Sequence, residues 1–364
     1  MGSFYTRALR EALFAVLGVT IFISAVFFIP PSVVYNDMAV ARVSPFAAQL
    51  SAPPSSFPVP SNVRAIHLSY GSFGPRSAEF FLENSAGSQI NAVIITIKDE
   101  LGRVALYDSG KKEQIRKFLE TMHAKEIYVI ARLVTFQDQS LASARPDLAI
   151  YNARTGRAWE NHKGLTWMDP TQQEVWAYNA AIAKEAVEIG FDEINFDYIR
   201  FPTDGPVSDA KYAHFKDYDS RVAVLEAFFK FIRDELGEDP ILSIDVFGVT
   251  FTDDDVNIGQ HIETIQKYFD VIAPMPYPSH FPPGFLGFQN PAQYPYQVLA
   301  YTLKSGFERL DAGVTVRPWL QDFNLGAIYD VMKIQEQIRA AKDQDIHTWA
   351  LWNASDRYTF EAVK

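Results

Sequence analysis

Eight short β-branched or aromatic runs alternate with helical patterns between Val63 and Trp352, and this alternation constrains the fold of the 364-residue chain more than any other feature. The runs are Val63–Ser69, Asn91–Lys98, Ile127–Thr135, Glu193–Ile199, Ile241–Phe247, Asp270–Met275, Val314–Leu320 and Ile346–Trp352. Their starts are never closer than about 28 residues, enough for a strand, a helix and two connections, and no two-residue hairpin turn joins any pair. Such spacing predicts parallel strands with crossover helices. Eight units of this kind predict a closed (β/α)₈ TIM barrel in the α/β class, with a doubly wound open sheet as the pattern-compatible alternative. Two helices have readable ends. Asp169-Pro170 reads as an N-cap with proline at the first helical position, and Gly190 stands where a left-handed C-terminal glycine belongs. Ser220 to Gly237 repeats the pattern.

The residues before the first strand belong to other units. Ala12 to Ile29 carries no charge, and at about 1.5 Å per residue it is long enough to match a bilayer's hydrocarbon core. Arg7 and Arg10 precede it and no basic cluster follows, which predicts a single-pass anchor with a cytoplasmic N-terminus and an extracytoplasmic remainder. A cleaved signal peptide, giving a secreted protein, is the rival expectation. Residues 30–62 hold seven of the 21 prolines and only two charges, Asp37 and Arg42, as expected of a semi-extended tether. The expected organisation is therefore 1–29 tip and anchor, 30–62 linker and 63–364 barrel.

Alternation along the strands selects the side chains that enter the lumen. In the fourth strand Ile194, Phe196 and Tyr198 form the apolar set that should meet the helices, so Asn195 and Asp197 should point inward near the C-terminal end. The fifth strand treats Leu242, Ile244 and Val246 in the same way and leaves Ser243 and Asp245 inside. Two carboxylates on neighbouring strands then face one lumen. A buried carboxylate is costly unless paired or used. Arg132, Arg200 and Arg317 are its possible partners. Asp99 and Asp322 follow the second and seventh strands and offer alternative carboxylates, although a loop or capping role suits both better.

The longest connections, 136–168, 200–219 and 276–294, all follow strands, and the C-terminal face they build is where barrel enzymes place their sites. Trp159, Trp167, Tyr212, Tyr277, Phe281 and Phe285 lie in these segments and could stack on sugar rings or simply pack the loops. Other chemistries find little support. The chain has no cysteine, its seven histidines are scattered, and no glycine-rich phosphate loop or nucleophile elbow occurs, so neither a metal nor another cofactor is expected. With 33 basic and 44 acidic residues the formal charge is −11, which opposes nucleic-acid binding, is compatible with neutral glycans and matches polyanionic ones poorly.

Several of these residues occur in an ordered series. It comprises Lys98-Asp99 with Gly102, Ile130-Ala-Arg132 with Phe136, Trp167-Met-Asp-Pro170, Ile194-Asn-Phe-Asp-Tyr-Ile-Arg-Phe-Pro202, Ser243-Ile-Asp-Val-Phe-Gly248, Met275-Pro-Tyr-Pro-Ser-His280, Arg317-Pro-Trp-Leu-Gln-Asp-Phe323 and Trp349-Ala-Leu-Trp-Asn353. The series resembles the bacterial putative glycoside hydrolase domain family over about residues 63–364. The resemblance implies a TIM-type barrel related to α-amylase-like enzymes, a carbohydrate substrate, and Asp197 as nucleophile or stabiliser of an oxocarbenium-like transition state. Asp245 is the expected acid/base. Expected sugar contacts are Arg132, His280, Arg317 and Trp349, joined by Asp99, Asn195, Arg200, Tyr277, Trp319 and Asp322. The leading expectation is a membrane-anchored glycoside hydrolase of cell-surface or extracellular polysaccharide. Its alternative is a non-catalytic carbohydrate-binding or envelope-scaffold barrel, and a third is a different hydrolase on the same fold.

Overall fold

The computed structural model describes residues 58–364 apart from Asp255. The expected anchor, and all but the last residues of the expected linker, lie outside that range. Among the described residues no helix is long and apolar enough to cross a membrane.

The barrel strands are β1 Arg64–Leu68, β2 Ala92–Lys98, β3 Tyr128–Val134, β4 Glu193–Asp197, β5 Ile241–Phe247, β6 Val271–Met275, β7 in two pieces, Thr315–Val316 and Trp319–Gln321, and β8 Trp349–Trp352. All pair in parallel in chain order, and β8 pairs back onto β1. Sequence placed all eight, but took β7 as continuous. Pro318 divides it, because proline has no N–H to give to a ladder. The first piece pairs with β6, where the Arg317 N–H donates to the Ile272 carbonyl at 2.9 Å. The second pairs with β8, whose Ala350 N–H donates to the Pro318 carbonyl at 3.0 Å. Both ends of the paired sheet thus fall in one run of chain, and the sheet curls on itself as a TIM-like barrel.

Helices α1 Pro75–Ser85, α2 Ser109–His123, α3 Gln173–Ile189, α4 Arg221–Leu236, α5 Pro295–Phe307 and α6 Val331–Lys342 lie between the strands. Their apolar stripes meet the outward side chains of the strands in one large core that includes Val93, Ile95, Ile194, Phe196, Leu242 and Ile244. A smaller apolar cluster, among it Ala65, Ile94, Tyr128, Ile130, Ala273 and Trp319, fills the lower lumen. Ser220 caps α4 by accepting from the Ala223 N–H at 3.1 Å, and Gly190 ends α3 at φ +105°, as expected. The expected cap at Asp169 is corrected: α3 begins at Gln173. Asp169 instead accepts from Thr171 N at 2.8 Å and from Ala213 N at 2.6 Å. The second bond ties it to the loop after β4, so tertiary contact displaces a local cap.

The loops after β3 and β4 are knitted together by an antiparallel sheet of Tyr151–Asn152, Arg157–Ala158 and Ala210–Lys211, which sequence did not anticipate. Where β5 ends, Gly248 packs against the backbone that leaves β6. A Cβ there would lie 2.6 Å from Pro276 Cα and 2.8 Å from the Met275 carbonyl oxygen. Gly248→Ala is therefore expected to destabilise the barrel by about 1–3 kcal/mol through overpacking against atoms that cannot rotate away. A drop in the urea midpoint with unchanged slope checks this; an unchanged midpoint contradicts it.

Candidate active site

The lumen alternation read from sequence holds along β4 and β5. Asn195, Asp197, Ser243 and Asp245 are all buried, and Asn195 donates to both residues of β5, Ser243 and Asp245. Asp197 ends β4. Its Oδ2 accepts from Arg132 Nε at 3.0 Å and also from Arg132 Nη2, and its Oδ1 accepts from the Tyr198 N–H at 2.6 Å. Tyr198 adopts φ +52°, a conformation a tyrosine rarely takes, and the turn that demands it aims its N–H at the carboxylate.

Asp245 is more deeply enclosed. Its Oδ1 accepts from Asn195 Nδ2 at 2.9 Å and from Trp319 Nε1 at 2.7 Å, while its Oδ2 lies 4.0 Å from Arg132 Nε. Both Oδ2 atoms are thus near one nitrogen, and adding their distances to it places them no more than about 7 Å apart. Burial, then the neighbouring charge of Asp197, push the Asp245 carboxyl up to about 8, against the opposing pull of Arg132 and its two hydrogen bonds. Because two N–H donors occupy Oδ1, a proton on Asp245 belongs on Oδ2, the oxygen facing Arg132.

On the other side of Arg132, its Nη1 donates to Thr96 Oγ1 at 3.1 Å, and that oxygen lies 2.7 Å from His67 Nε2. His67 stacks on Trp352 at 4.2 Å between ring centroids, and Arg132 lies over the same indole. None of His67, Thr96 and Trp352 was expected in the site. Extending the alternation along β1, β2 and β8 identifies all three, since Ile66, Leu68 and Leu351 belong to the outer core and leave their neighbours for the lumen.

The remaining expected residues separate into near and far. Tyr277 borders Trp319 in the lumen cluster, with His280 at 5.3 Å between ring centroids. Burial pushes the His280 imidazole down to about 4, so it is neutral at physiological pH. Arg200 lies just past Asp197, against Trp167 and Phe247. Arg317 lies elsewhere: it forms a bidentate ion pair with Glu193, at the start of β4. Four residues at about 3.3 Å each put that pair about 13 Å below Asp197. Trp349 faces the helices, because its parity is opposite to that of Trp352. Asp99 closes a turn by accepting from Leu101 N and Arg103 N and pairing with the Arg103 guanidinium. Asp322 holds the C-terminal segment through the N–H and hydroxyl of Thr359. Of the loop aromatics, Trp159, Trp167, Phe281 and Phe285 are buried as packing. Among the described residues one trio, Asp254, His261 and Glu263, has donor atoms within 4.8 Å of one another, and Arg309 pairs with both of its acids.

A family model described as "Putative glycosyl hydrolase domain" matches residues 65–358. No curated protein matches the chain in sequence. Among solved structures, the glycoside hydrolase domain of PgaB (BpsB) from Bordetella bronchiseptica is similar with a TM-score of 0.56 and 14% identity, covering 83% of this chain and 95% of that one. The α-galactosidase TtGalA from Thermus thermophilus is similar with a TM-score of 0.51 and 13% identity, covering 83% of this chain and 60% of that one. A hypothetical protein from Ruminiclostridium thermocellum is 33% identical over 50% of this chain and 97% of its own, with a TM-score of 0.44. At such identities the first two likenesses speak for the fold.

Proposed function

The chain belongs to the putative glycosyl hydrolase domain family, and on that premise we propose that it cleaves glycosidic bonds in a cell-surface or extracellular polysaccharide with Asp197 and Asp245. One observation carries the reading: two lumen carboxylates at the ends of neighbouring strands share Arg132 yet stand in different environments, one paired with the guanidinium and one pushed toward its protonated form. Environments that separate two carboxyl groups in this way assign acid and base roles.

The roles follow. Asp245 gives its Oδ2 proton to the glycosidic oxygen as the bond to the anomeric carbon breaks. Asp197, oriented by Arg132 and the Tyr198 N–H, attacks that carbon or stabilises its charge. Asp245 then takes a proton from the water that releases the sugar. The ceiling on the oxygen separation accommodates the roughly 5–5.5 Å of a retaining pair and only the lower edge of the inverting range, about 6.5–9.5 Å. Asn195 and Trp319 orient Asp245, and Tyr277, His280 and Trp352 flank the sugar. The apolar segment 12–29 holds the barrel outside the membrane, a reading supported by the arginines that precede it.

The closure of Arg132 on Asp197 favours a second reading, a non-catalytic glycan-binding barrel. Screening the full chain against a polysaccharide panel for new reducing ends separates the two. Hydrolysis that Asp197→Asn abolishes supports the enzyme; hydrolysis that survives the substitution removes Asp197 from the mechanism, and binding without hydrolysis supports the second reading.

A further inference from the structure

Four arginines are buried among the described residues, and three of them have a carboxylate partner. Arg132 pairs with Asp197, Arg233 with Asp270 and Arg317 with Glu193. Arg200 is the exception. It is 8% exposed, and no carboxylate among the described residues comes within 4.0 Å of its guanidinium. Its Nη1 donates to the Phe201 carbonyl at 3.0 Å and reaches Thr203 Oγ1 at 3.5 Å. Its Nε and Nη2, the edge that forms a fork toward a carboxylate, have no acceptor among the described residues. A buried cation without a contacting counter-ion is costly, and the other three buried arginines avoid that cost.

Asp204 and Asp197 act on the cation only from beyond contact distance, and aromatic rings hold it in place. Its central carbon lies 4.6 Å from the Phe247 ring centroid, 4.8 Å from that of Trp167 and 5.7 Å from that of Tyr198. Aromatic faces offset part of the desolvation and fix the plane of the group. Tyr198 directly follows Asp197, and Phe247 lies two residues beyond Asp245. The guanidinium therefore lies at the ends of β4 and β5, the strands that carry the two carboxylates.

We propose that Arg200 binds a sugar carboxylate of the glycan, so that the preferred substrate carries an acidic residue next to the bond that is cut. This rests on the hydrolase reading and narrows it. A planar carboxylate accepts two parallel N–H bonds from such a fork, which a neutral hydroxyl cannot do. The chain's charge of −11 sets a limit on the polymer: one buried cation serves one carboxylate, so the fit is to isolated uronic-type residues in an otherwise neutral glycan, not to a dense polyanion.

The test pairs each acidic polysaccharide of a panel with its carboxyl-reduced derivative and measures both binding and new reducing ends with the full chain. At least one acidic polymer should bind about tenfold or more tightly than its reduced form, the effect of one charge-assisted contact. Arg200→Gln should bring the two within about twofold, and Arg200→Lys, which keeps charge without the fork, should restore only part of the preference. The wild-type comparison requires no variant, so a folding failure of Arg200→Gln leaves the test intact. Absence of any acidic preference across the panel, or a preference that a folded Arg200→Gln retains, overturns the proposal. Hydrolysis of neutral polymers without acidic preference would overturn it while leaving the hydrolase reading in place. An Arg200-dependent acidic preference without any hydrolysis would do the reverse.

Discussion

Asp245→Asn is expected to lower kcat/KM by about 10²–10⁴-fold, the usual worth of a general acid, and yet to make the folded chain more stable at alkaline pH. The amide keeps an oxygen to accept from Asn195 and Trp319, so the loss falls on the proton rather than on the packing. Burial raises the folded-state pKa of Asp245 above its unfolded value, so the folded chain holds an extra proton between the two. Stability therefore falls as pH rises through that window, and above the folded pKa the full cost of an ionised buried carboxylate is present. Asparagine never ionises and escapes the cost, which is about 1.4 kcal/mol for each tenfold gain in proton affinity on folding. The unfolding midpoint of Asp245→Asn should exceed that of the wild type by several degrees at pH 9, and the difference should shrink toward pH 5. Wild-type kcat/KM should itself decline on the alkaline side as Asp245 loses its proton. Thermal unfolding at both pH values and a pH–rate profile check this. A variant less stable at pH 9, or a rate that rises as Asp245 ionises, would falsify the assignment of Asp245 as the acid.

Arg317→Met should cost about 3–5 kcal/mol, a larger stability loss than Gly248→Ala, because it leaves the buried Glu193 side chain without its ion-pair partner at the bottom of the lumen. Arg317 is 2% exposed and donates to both Glu193 oxygens, so water cannot take its place. Combining Arg317→Met with Glu193→Gln should recover part of the loss by removing the unpaired carboxyl group. Urea unfolding of the two single variants and the double one measures this coupling. The kinetic outcome separates this role from the sugar-contacting one expected from sequence: at a temperature where the variant is folded, KM should be unchanged. A raised KM with near-normal stability would return Arg317 to the binding site.

Arg317 and Arg132 together indicate what a sequence can disclose. Alternation works where a strand is regular and both faces are apolar enough to contrast, as in β4 and β5, and there it identified Asp197 and Asp245 as lumen residues. It gives direction but not depth. Arg317 and Arg132 both point inward, and only strand register reveals that one meets Glu193 at the floor and the other meets Asp197 at the mouth. Trp349 shows the converse: an aromatic-rich terminal run, Trp349-Ala-Leu-Trp352, holds two indoles of opposite parity, and the lumen one is Trp352. Asp169 is a third case, where a sound local signal for a helix cap yields to a hydrogen bond from a residue 44 positions away. Local rules placed the elements; non-local pairs decided the roles of polar side chains.

The return of β8 onto β1 has a consequence for how the site is completed. Asp197, Asp245 and Arg132 lie in the middle of the chain, and the strands that carry them pair with near neighbours in sequence. His67 and Trp352 stand on strands from opposite ends of the barrel, and the hydroxyl of Tyr358 reaches the His67 carbonyl across 291 positions. Contacts of such long range carry a high loop-closure cost, because the chain between them must be ordered when they form. The aromatic wall of the chamber therefore depends on β1 and β8 meeting, since His67 stacks on Trp352 only across that closure.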